Sequence, residues 1–473
     1  MKRVLLALMM VSLAVVLVAC GGRNGDENGE DFNYEELTDG ITIMIPFYLA
    51  RDVGTYVRLF NEIHPDVQVN IETYTGFFDI SQRMALTTRL LSNPPDILLF
   101  NGEQLVFEKM VLETVFLDLN NFLDGPRGID RNNYFDNILR AAETQGGLFH
   151  LPHYINIGFG FLNQRLLDII GLDGSQITTL TIDEEIDLFL RISQTLPEGE
   201  TIFHSTLFSV QDAFLRGRLY DIDARTVFVN TPEMQQRIER AMQIPLHSNM
   251  TLTPDGLNYF YSLSTSDVAR YIHPSQDLLL TTLNGPILDI TTFFLEYHPN
   301  FQFTHPVRLL YGEDGVGFMS RMAYALPRNA SNHDLAWEFL RFVIEFEEQL
   351  YRLDTGFLNP HYDTSFRFLP INRNRFNNQV GFVLEDIYNA ANRYAGLEQH
   401  LPIPQEQHRA ATIAETMGFL YGTMEQANFE IRQDRAVLNS LIYPDIWLLY
   451  SGQQNVAQAL ANIHSRLELY VHE

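Results

Sequence analysis

Between Gly40 and Phe100 the sequence alternates between two hydrophobic patterns, and this alternation constrains the fold more than any other feature. The runs Ile41–Ile45 and Ile97–Phe100 are short, continuous and apolar, as in strands that are buried on both faces of a sheet. Between them, Val53–Ile63 has apolar residues at helical spacing, Val67–Ile71 alternates as a strand, and a second helical pattern follows. Strands separated by helices of this length predict βαβ units in a mostly parallel sheet.

The size and charge of the chain limit both its architecture and its partners. A chain of 473 residues is too long for one hydrophobic core, and its 46% apolar residues can fill two or more. The 32 basic and 59 acidic residues give a formal net charge of −27. Such a surface repels nucleic acid, so we expect no nucleic-acid partner.

The N-terminus has the pattern of a secretory signal. Lys2 and Arg3 precede an apolar stretch that ends at Ala19, and this stretch is too short for a comfortable membrane span. Its end, Leu-Val-Ala-Cys, resembles a bacterial lipobox, which implies a lipoprotein signal peptide at 1–19 and lipidation of Cys20. A plain signal peptide that contains a cysteine is the alternative. Cys20 is the only cysteine, so an intramolecular disulfide is impossible.

Residues 20–38 are rich in glycine and acidic residues and have little to bury, so they are predicted to be a flexible tether. The spacing of Asp and Asn in this segment does not match a calcium-binding EF-hand loop.

The stretch Gly147–Leu167 is interpreted as the point where the chain leaves one lobe for the next. Leu151-Pro152 predicts a bend, because proline lacks a backbone donor and is rare inside strands. The apolar run Ile155–Leu162 predicts a buried strand, and Asn163 opens a helical pattern. The alternative is an ordinary strand, turn and helix inside one lobe.

Several later elements have clear boundaries in the sequence. Thr181 and Thr231-Pro232 are predicted helix starts, the first followed by acidic residues. Phe318–Leu326 is a strand candidate, and a strongly amphipathic helix follows Asn332. The last hundred or so residues are predicted to be mostly helical.

The order of these elements resembles a known family. The segments that carry the resemblance are ITIMIPFY, FNEIHPDVQVNIE, LLSNPPDILLF, GLFHLPHYINIGFGFLNQRLLDIIGL, LNGPILDI and GVGFMSRMAYALPRNASNHDLAWEFLRFVI. In this order and spacing, the chain resembles the extracellular solute-binding proteins of ABC importers, in the carbohydrate-type group that includes the maltose-binding protein family.

The resemblance implies an α/β fold of two lobes, each a mostly parallel sheet flanked by helices, joined by a multi-strand hinge. It places lobe 1 at 39–154, lobe 2 at 155–308, a return to lobe 1 at 309–330, and a mostly helical remainder of lobe 2 at 331–473. It implies a monomeric, lipid-anchored receptor on the extracytoplasmic face of the cell membrane. This receptor would capture a small polar solute, by default a sugar or oligosaccharide, and deliver it to an ABC permease without a cofactor.

Candidate ligand residues follow from the expectation that ligands bind beyond the carboxyl ends of parallel strands and between lobes. A saccharide site needs aromatic faces for ring C–H groups and polar side chains for hydroxyls. The candidates in the first lobe and at the crossing are Phe47, Tyr48, Thr75, Gly76, Asn101, Glu103, His153, Tyr154 and Asn156. Those in the second lobe are Phe203, His204, Tyr220 and Asp221. Tyr154 and Asn156 are expected to face the cleft.

Two features of the sequence weaken the case for a carbohydrate ligand. Ile287 follows Asn-Gly-Pro at a position where the resembled proteins often carry an aromatic residue. Trp337 lies on the predicted core side of its helix, so that stacking surfaces must come from Tyr or Phe.

A surface-anchored carbohydrate-active enzyme and a ligand-presenting module for a membrane sensor remain alternatives. Neighbouring acid pairs such as Glu184-Glu185 point apart on a helix, and hydrolase, zinc-protease and P-loop motifs are absent from the sequence. Two distant carboxylates could still form a glycosidase site. His150 and His153 lack a further ligand at metal-site spacing, so no metal is predicted.

Overall fold

A computed structural model of the protein describes the following residues: 40–74, 80–101, 107–112, 114–196, 201–203, 214, 219–244, 251–253, 256–258, 276–278, 280–283, 303–311, 315–350, 369–378, 415–431 and 440–472. The predicted signal peptide, the predicted tether and Cys20 lie outside these residues. So do four of the candidate ligand residues, namely Thr75, Gly76, Glu103 and His204.

The described part of the chain consists of short strands and helices that alternate for much of its length. The strands are β1 (Gly40–Pro46), β2 (Gln68–Tyr74), β3 (Ile97–Phe100), β4 (Leu151–Ile157), β5 (Phe159–Asn163), β6 (Thr179–Leu180), β7 (Thr201–Phe203), β8 (Tyr220–Asp221), β9 (Thr226–Val227), β10 (Thr251–Thr253), β11 (Gly256–Asn258), β12 (Gln276–Leu278), β13 (Leu280–Leu283), β14 (Phe303–Leu309), β15 (Val316–Ala325), β16 (Leu369–Pro370) and β17 (Ala427–Glu430). The helices are α1 (Ala50–Ile63), α2 (Ile80–Ser92), α3 (Phe107–Leu112), α4 (Asn120–Leu123), α5 (Asp136–Ala141), α6 (Gln164–Ile169), α7 (Ile182–Thr195), α8 (Pro232–Ala241), α9 (His333–Leu350), α10 (Tyr443–Tyr450) and α11 (Val456–His472). Residues 415–424 are also helical.

Two helix starts confirm the predictions made from capping residues. The Thr181 hydroxyl accepts a hydrogen bond from the Glu184 backbone at 3.2 Å, and the Glu184 carboxylate accepts one from the Thr181 backbone at 2.8 Å. This reciprocal pair is a capping box, which satisfies two backbone donors at the start of α7. At α8, the Thr231 hydroxyl accepts from the Met234 backbone at 3.1 Å, with proline in the first turn.

A seven-stranded sheet forms the base of what we call the first lobe. Its order is β16-β4-β15-β3-β1-β2, with β17 paired to β15. β1 lies between β2 and β3, and both pairings are parallel, as predicted for βαβ units. β15, by contrast, runs antiparallel to both β3 and β4. The expected mostly parallel sheet is therefore a mixed one.

Helix α9 packs against β1 and α1 of the first lobe. The ring of Phe60 in α1 lies 5.2 Å from the rings of both Phe339 and Phe342 in α9. Trp337 is 1% exposed, which confirms its predicted core position, and its indole N–H donates to the Arg127 carbonyl at 3.0 Å. The assignment of residues 331–473 to lobe 2 is thus wrong for α9, and also for β16 and β17, which are strands of the first sheet. Their partners lie far away in the sequence, so the local pattern did not reveal them.

A four-stranded sheet of order β13-β5-β14-β6 forms the base of the second lobe. β5 runs antiparallel to both of its neighbours, whereas β14 and β6 are parallel. Helices α6, α7, α8, α10 and α11 enclose a separate hydrophobic core that contains Leu166, Phe189, Ile238, Ile446 and Leu460. Helices α10 and α11 therefore pack in the second lobe.

The chain crosses between the sheets at Gly158. β4 belongs to the first sheet through Ile157, and β5 belongs to the second from Phe159. A Cβ atom on Gly158 would lie 3.0 Å from the Tyr311 ring. The close approach of these two segments of the chain therefore favours glycine at this position. The predicted boundary after residue 154 is displaced to this glycine.

Pro152 is not a bend but a residue of strand β4, and the prediction was wrong on this point. It pairs with Ala323 of β15 next to a shift in strand register between Met322 and Ala323. Such an irregularity tolerates a residue without a backbone donor. All seven residues of β4 are buried.

Three neighbouring strands, β4, β15 and β17, form the junction between the lobes. Phe100, the last residue of β3, pairs with Ala323, and β4 continues beyond this level to pair Ile157 with Phe318. β17 runs beside the same part of β15, pairing Phe318 with Glu430. These strands therefore extend past the carboxyl end of β3 toward the second lobe.

Candidate functional site

The carboxyl end of β1 presents two exposed aromatic rings. Phe47 and Tyr48 lie in a single 3₁₀ turn after Pro46 and are 54% and 40% exposed. Their ring centroids are 5.8 Å apart and the rings are nearly perpendicular. Ile43 and Ile45, in the strand behind them, are completely buried. The aromatic pair is thus held by a rigid strand while a large part of its surface faces solvent.

Tyr74 connects this end of β1 with the ends of β2 and β3. Its hydroxyl donates to the Leu99 carbonyl at 3.1 Å. Burial raises the pKa of Tyr74 well above its ordinary value, and the nearby Tyr48 raises it further. Tyr74 therefore remains a neutral donor at physiological pH and ties the strand ends together beside the exposed pair.

Asn101 is the described polar candidate at the end of β3. It is 8% exposed and follows Phe100 directly. Its position at the carboxyl edge of the sheet agrees with the predicted strand order, whereas its small exposed surface limits direct contact with a ligand. Its role as a ligand residue stays a prediction.

His153, Tyr154 and Asn156 lie inside β4 and are only 3%, 3% and 8% exposed. Pro152–Asn156 was predicted to lie between the lobes, and it belongs to junction strand β4 of the first sheet. The predicted orientation of Tyr154 and Asn156 toward the cleft stays a prediction. Ligand contact by these residues stays a prediction that their burial argues against.

A buried arginine that the sequence did not single out packs against β4. The guanidinium carbon of Arg375 lies 4.7 Å from the centre of the Tyr154 ring, and the His153 ring is 4.3 Å from the Tyr154 ring. Burial lowers the pKa of Arg375 to about 10, with Tyr56 acting in the opposite direction. Burial, together with the positive charge of Arg375, lowers the pKa of His153 well below its ordinary value. His153 is therefore a neutral structural side chain.

Ser320, Glu430 and His150 form a second buried cluster in the junction. The Ser320 hydroxyl donates to Glu430 Oε1, and His150 Nε2 lies 3.0 Å from Glu430 Oε2. The carboxylate is the central member, so His150 is not placed to accept the Ser320 proton as a nucleophilic triad would require. The side chains of His150 and Glu430 are 2% and 3% exposed. This cluster links β15, β17 and the entry to β4 and does not form a hydrolase site.

The second-lobe candidates lie in two small strand pairs. Phe203 ends β7, which pairs in parallel with β12. Tyr220 and Asp221 form β8 of the β8–β9 hairpin, where the Asp221 carboxylate accepts from the Ala224 backbone at 2.8 Å. The Tyr220 ring is 5.6 Å from that of Tyr470 in α11. The side chains of Tyr220 and Asp221 stabilise the hairpin, and the ligand roles of all three candidates stay predictions.

The described residues contain no cluster of three or more His, Cys, Asp or Glu side chains that could hold a metal ion. In the same part of the chain, none of the helices is long and apolar enough to span a membrane.

Comparisons with known proteins agree on the architecture. No protein family model matches the sequence, and no curated protein sequence matches it. Among solved structures, an oligosaccharide periplasmic-binding protein from Synechococcus sp. MITs9220 superposes with a TM-score of 0.58 at 17% identity, covering 91% of this chain and 99% of that one. The sugar-binding protein MalE from Xanthomonas citri gives 0.58 at 12% identity, covering 92% and 97%.

A third structure is an ABC substrate-binding protein from Listeria monocytogenes in complex with cycloalternan. It gives a TM-score of 0.54 at 12% identity and covers 92% of this chain and 99% of that one. All three likenesses cover more than nine-tenths of this chain. The protein therefore has the two-lobed α/β fold of the periplasmic solute-binding proteins.

Proposed function

We propose that the protein is an extracytoplasmic receptor that captures a saccharide between its two lobes and delivers it to an ABC permease. The observation that carries this proposal is the exposed Phe47–Tyr48 pair at the carboxyl end of β1, in a fold whose two lobes are joined by neighbouring strands. The carboxyl edge of an open α/β sheet is the usual place for a ligand.

The chemistry of the exposed pair favours a saccharide over a small charged solute. Two aromatic rings offer apolar faces to the C–H groups of sugar rings, and their nearly perpendicular arrangement presents a face and an edge. Tyr48 also carries a hydroxyl that can bond to a sugar hydroxyl. The names of the three compared proteins, which refer to oligosaccharide, sugar and cycloalternan binding, point in the same direction.

The N-terminal sequence supports a location at the membrane surface. The predicted signal peptide at 1–19 would be removed, and lipidation of Cys20 would leave residues 20–38 as a tether. A tether holds a receptor close to its permease at high effective concentration. The strongly negative net charge keeps such a receptor soluble beside anionic lipid headgroups.

The proposal is tested by measuring the thermal stability of the purified protein against a panel of solutes. The panel contains monosaccharides, linear and cyclic oligosaccharides, and, as controls, amino acids and short peptides. A ligand that binds the folded state raises the melting temperature according to its concentration relative to its Kd. We expect a rise with at least one saccharide and none with the controls, and calorimetry would then give the affinity. A rise with the peptides alone would contradict the proposal.

The same samples separate the receptor from an enzyme. After long incubation, the oligosaccharides are analysed by chromatography for cleavage products. Intact oligosaccharide together with a raised melting temperature supports the receptor proposal. Cleavage products would instead show that the protein is a carbohydrate-active enzyme. Uptake of labelled saccharide by cells with and without the protein then distinguishes an import receptor from a sensor module.

A further inference from the structure

The two lobes also touch at a place outside the three junction strands. In the first lobe, a tight turn closes with a bridge between Thr144 and Gly147, and Gln145 and Gly146 have φ angles of 50° and 77°. The Gln145 amide donates to Asp223 Oδ1 at 2.9 Å, and the Thr144 hydroxyl donates to Asp223 Oδ2 at 3.4 Å. Asp223 lies in the turn of the β8–β9 hairpin and therefore in the second lobe.

The turn that carries Gln145 is held firmly to the first lobe. The Leu148 backbone donates to the Asp118 carboxylate at 2.9 Å, and the Leu119 backbone donates to the Leu148 carbonyl at 2.7 Å. Left-handed residues at both central positions are typical of tight two-residue turns. The Gln145 side chain is thus directed outward from a rigid support.

A second contact between the lobes reaches the same hairpin. The ammonium group of Lys109 in α3 lies 4.0 Å from the centre of the Tyr470 ring in α11. Lys109 belongs to the helix whose neighbouring residues Phe107 and Met110 are in the first-lobe core. Tyr470 packs on the second-lobe core and, edge to face, against Tyr220 of the hairpin.

The hairpin itself is shaped for this contact. Asp221 accepts the Ala224 backbone N–H, and Arg225 has a φ of 49°, so that the turn presents Asp223 at its exposed tip. Partly buried Tyr220 and Val227 pack on the second-lobe core on either side of this turn. The candidate residues Tyr220 and Asp221 therefore have a positioning role toward the first lobe.

We propose that these two contacts form an interlobe latch, defined as Thr144, Gln145 and Lys109 on the first lobe with Asp223 and Tyr470 on the second. None of these residues lies in β4, β15 or β17, so a rotation of the lobes about those strands changes the distances across the latch. The latch stabilises the lobe arrangement of this structure by contacts that a rotated arrangement lacks, and it thereby shifts the ratio of the two arrangements.

The role of the latch in holding ligand rests on the proposed function. Any contact that favours the closed state raises the apparent affinity for a ligand that binds that state. Its effect on the lobes can nevertheless be measured without a ligand.

The test is a distance measurement between two spin labels in the ligand-free, full-length chain in detergent. One label is placed by Leu91→Cys on α2, which is 54% exposed, and the other by Gln236→Cys on the exposed surface of α8. Cys20→Ser removes the native cysteine. Asp223→Ala and Lys109→Met then remove the two contacts separately and together. Asp173→Ala is the matched control, because Asp173 is another exposed carboxylate in a second-lobe turn, where it accepts the Ser175 backbone N–H at 2.9 Å.

We expect Asp223→Ala to lower the population with the interlobe distance of this structure, relative to all other distances, about three- to tenfold, as for the loss of a typical hydrogen bond at an exposed side chain. Lys109→Met has a smaller effect in the same direction, and Asp173→Ala has none. Distance distributions that stay unchanged in both latch variants, with unchanged circular dichroism, would overturn the latch. So would an equal shift in Asp173→Ala. A shift in the latch variants combined with no saccharide binding in the solute panel would keep the latch and reject the proposed function.

Discussion

The turn after β1 and the interior of β4 are both rich in aromatic residues, both belong to the first lobe, and both are candidate ligand sites. Their surroundings are opposite. Phe47 and Tyr48 are 54% and 40% exposed, whereas His153 and Tyr154 are each 3% exposed. Aromatic side chains at the end of a strand are thus accessible to a ligand, whereas those within a buried strand pack against neighbouring side chains. The difference teaches that position along the strand, more than residue type, decides which aromatic residues can bind a solute.

The largest expected effect is on the buried side of this comparison. Tyr154→Ala removes a ring that contacts His153 and Arg375, and it leaves a cavity within the first sheet. We expect the free energy of unfolding, measured by urea denaturation, to fall by about 3 kcal/mol or more. Tyr154→Phe keeps the ring and serves as the control. A loss below about 1 kcal/mol would mean that β4 is less tightly packed than its burial indicates.

On the exposed side, binding should change and stability should not. The double variant Phe47→Ala, Tyr48→Ala is expected to lower the affinity for the best saccharide of the panel about 10- to 100-fold in calorimetry, since both stacking faces are lost. Its stability should stay within about 0.5 kcal/mol of the parent protein. Leu91→Ala is the matched control, because Leu91 is also 54% exposed. Unchanged affinity in the double variant would remove the main support for the binding site.

The comparison also predicts a dependence of stability on pH. The pKa of His153 is well below its ordinary value in the folded protein. As the pH falls below about 6.5, the unfolded chain takes up a proton at His153 that the folded protein does not. The contribution of His153 to the free energy of unfolding is therefore fully present above about pH 6.5. Below that pH, the free energy of unfolding decreases by up to about 1.4 kcal/mol per pH unit. His153→Asn should reduce this slope in urea titrations at several pH values. Equal slopes in the two proteins would contradict the burial of a neutral imidazole.

The smallest expected effect concerns Asp221. Its substitution tests whether a second-lobe candidate contacts ligand, as proposed for Phe47 and Tyr48, or has a structural role, like His153 and Tyr154. Asp221→Ala removes the acceptor of the Ala224 N–H and should cost about 0.5–1 kcal/mol of stability. The affinity for the saccharide should change by less than tenfold. A larger loss of affinity at unchanged stability would instead place Asp221 in direct contact with the ligand.

Local sequence patterns predicted the elements that depend on neighbouring residues. The strand at Ile97–Phe100, the Thr181 cap and the core position of Trp337 agree with the structure, because strand burial, capping and helix periodicity are set within a few residues. Predicting the exposed end of β1 was possible for the same reason, since Pro46 closes a continuous apolar run.

Contacts between distant segments could not be predicted in this way. Pro152 lies in a strand only because β15 has a register shift beside it, and that pairing joins residues far apart in the sequence. Arg375 and Glu430 pack on β4 and β15 through equally distant contacts, and no local pattern marks either of them. Without these partners, the burial of β4 could not be distinguished from a position between the lobes.

The short strand β16 has a consequence for the behaviour of many copies of the protein at one surface. Among the described residues of this edge, Leu369 and Pro370 pair with β4, and the Ile371 backbone then donates to the His153 carbonyl at 3.2 Å. A two-residue edge that includes proline offers almost no backbone donors to a strand from another chain. Because β16 lies beside the apolar strand β4, the described residues on this side of the first sheet offer only this short edge. For receptors proposed to be crowded together by lipid anchors, this edge protects against aggregation by strand addition.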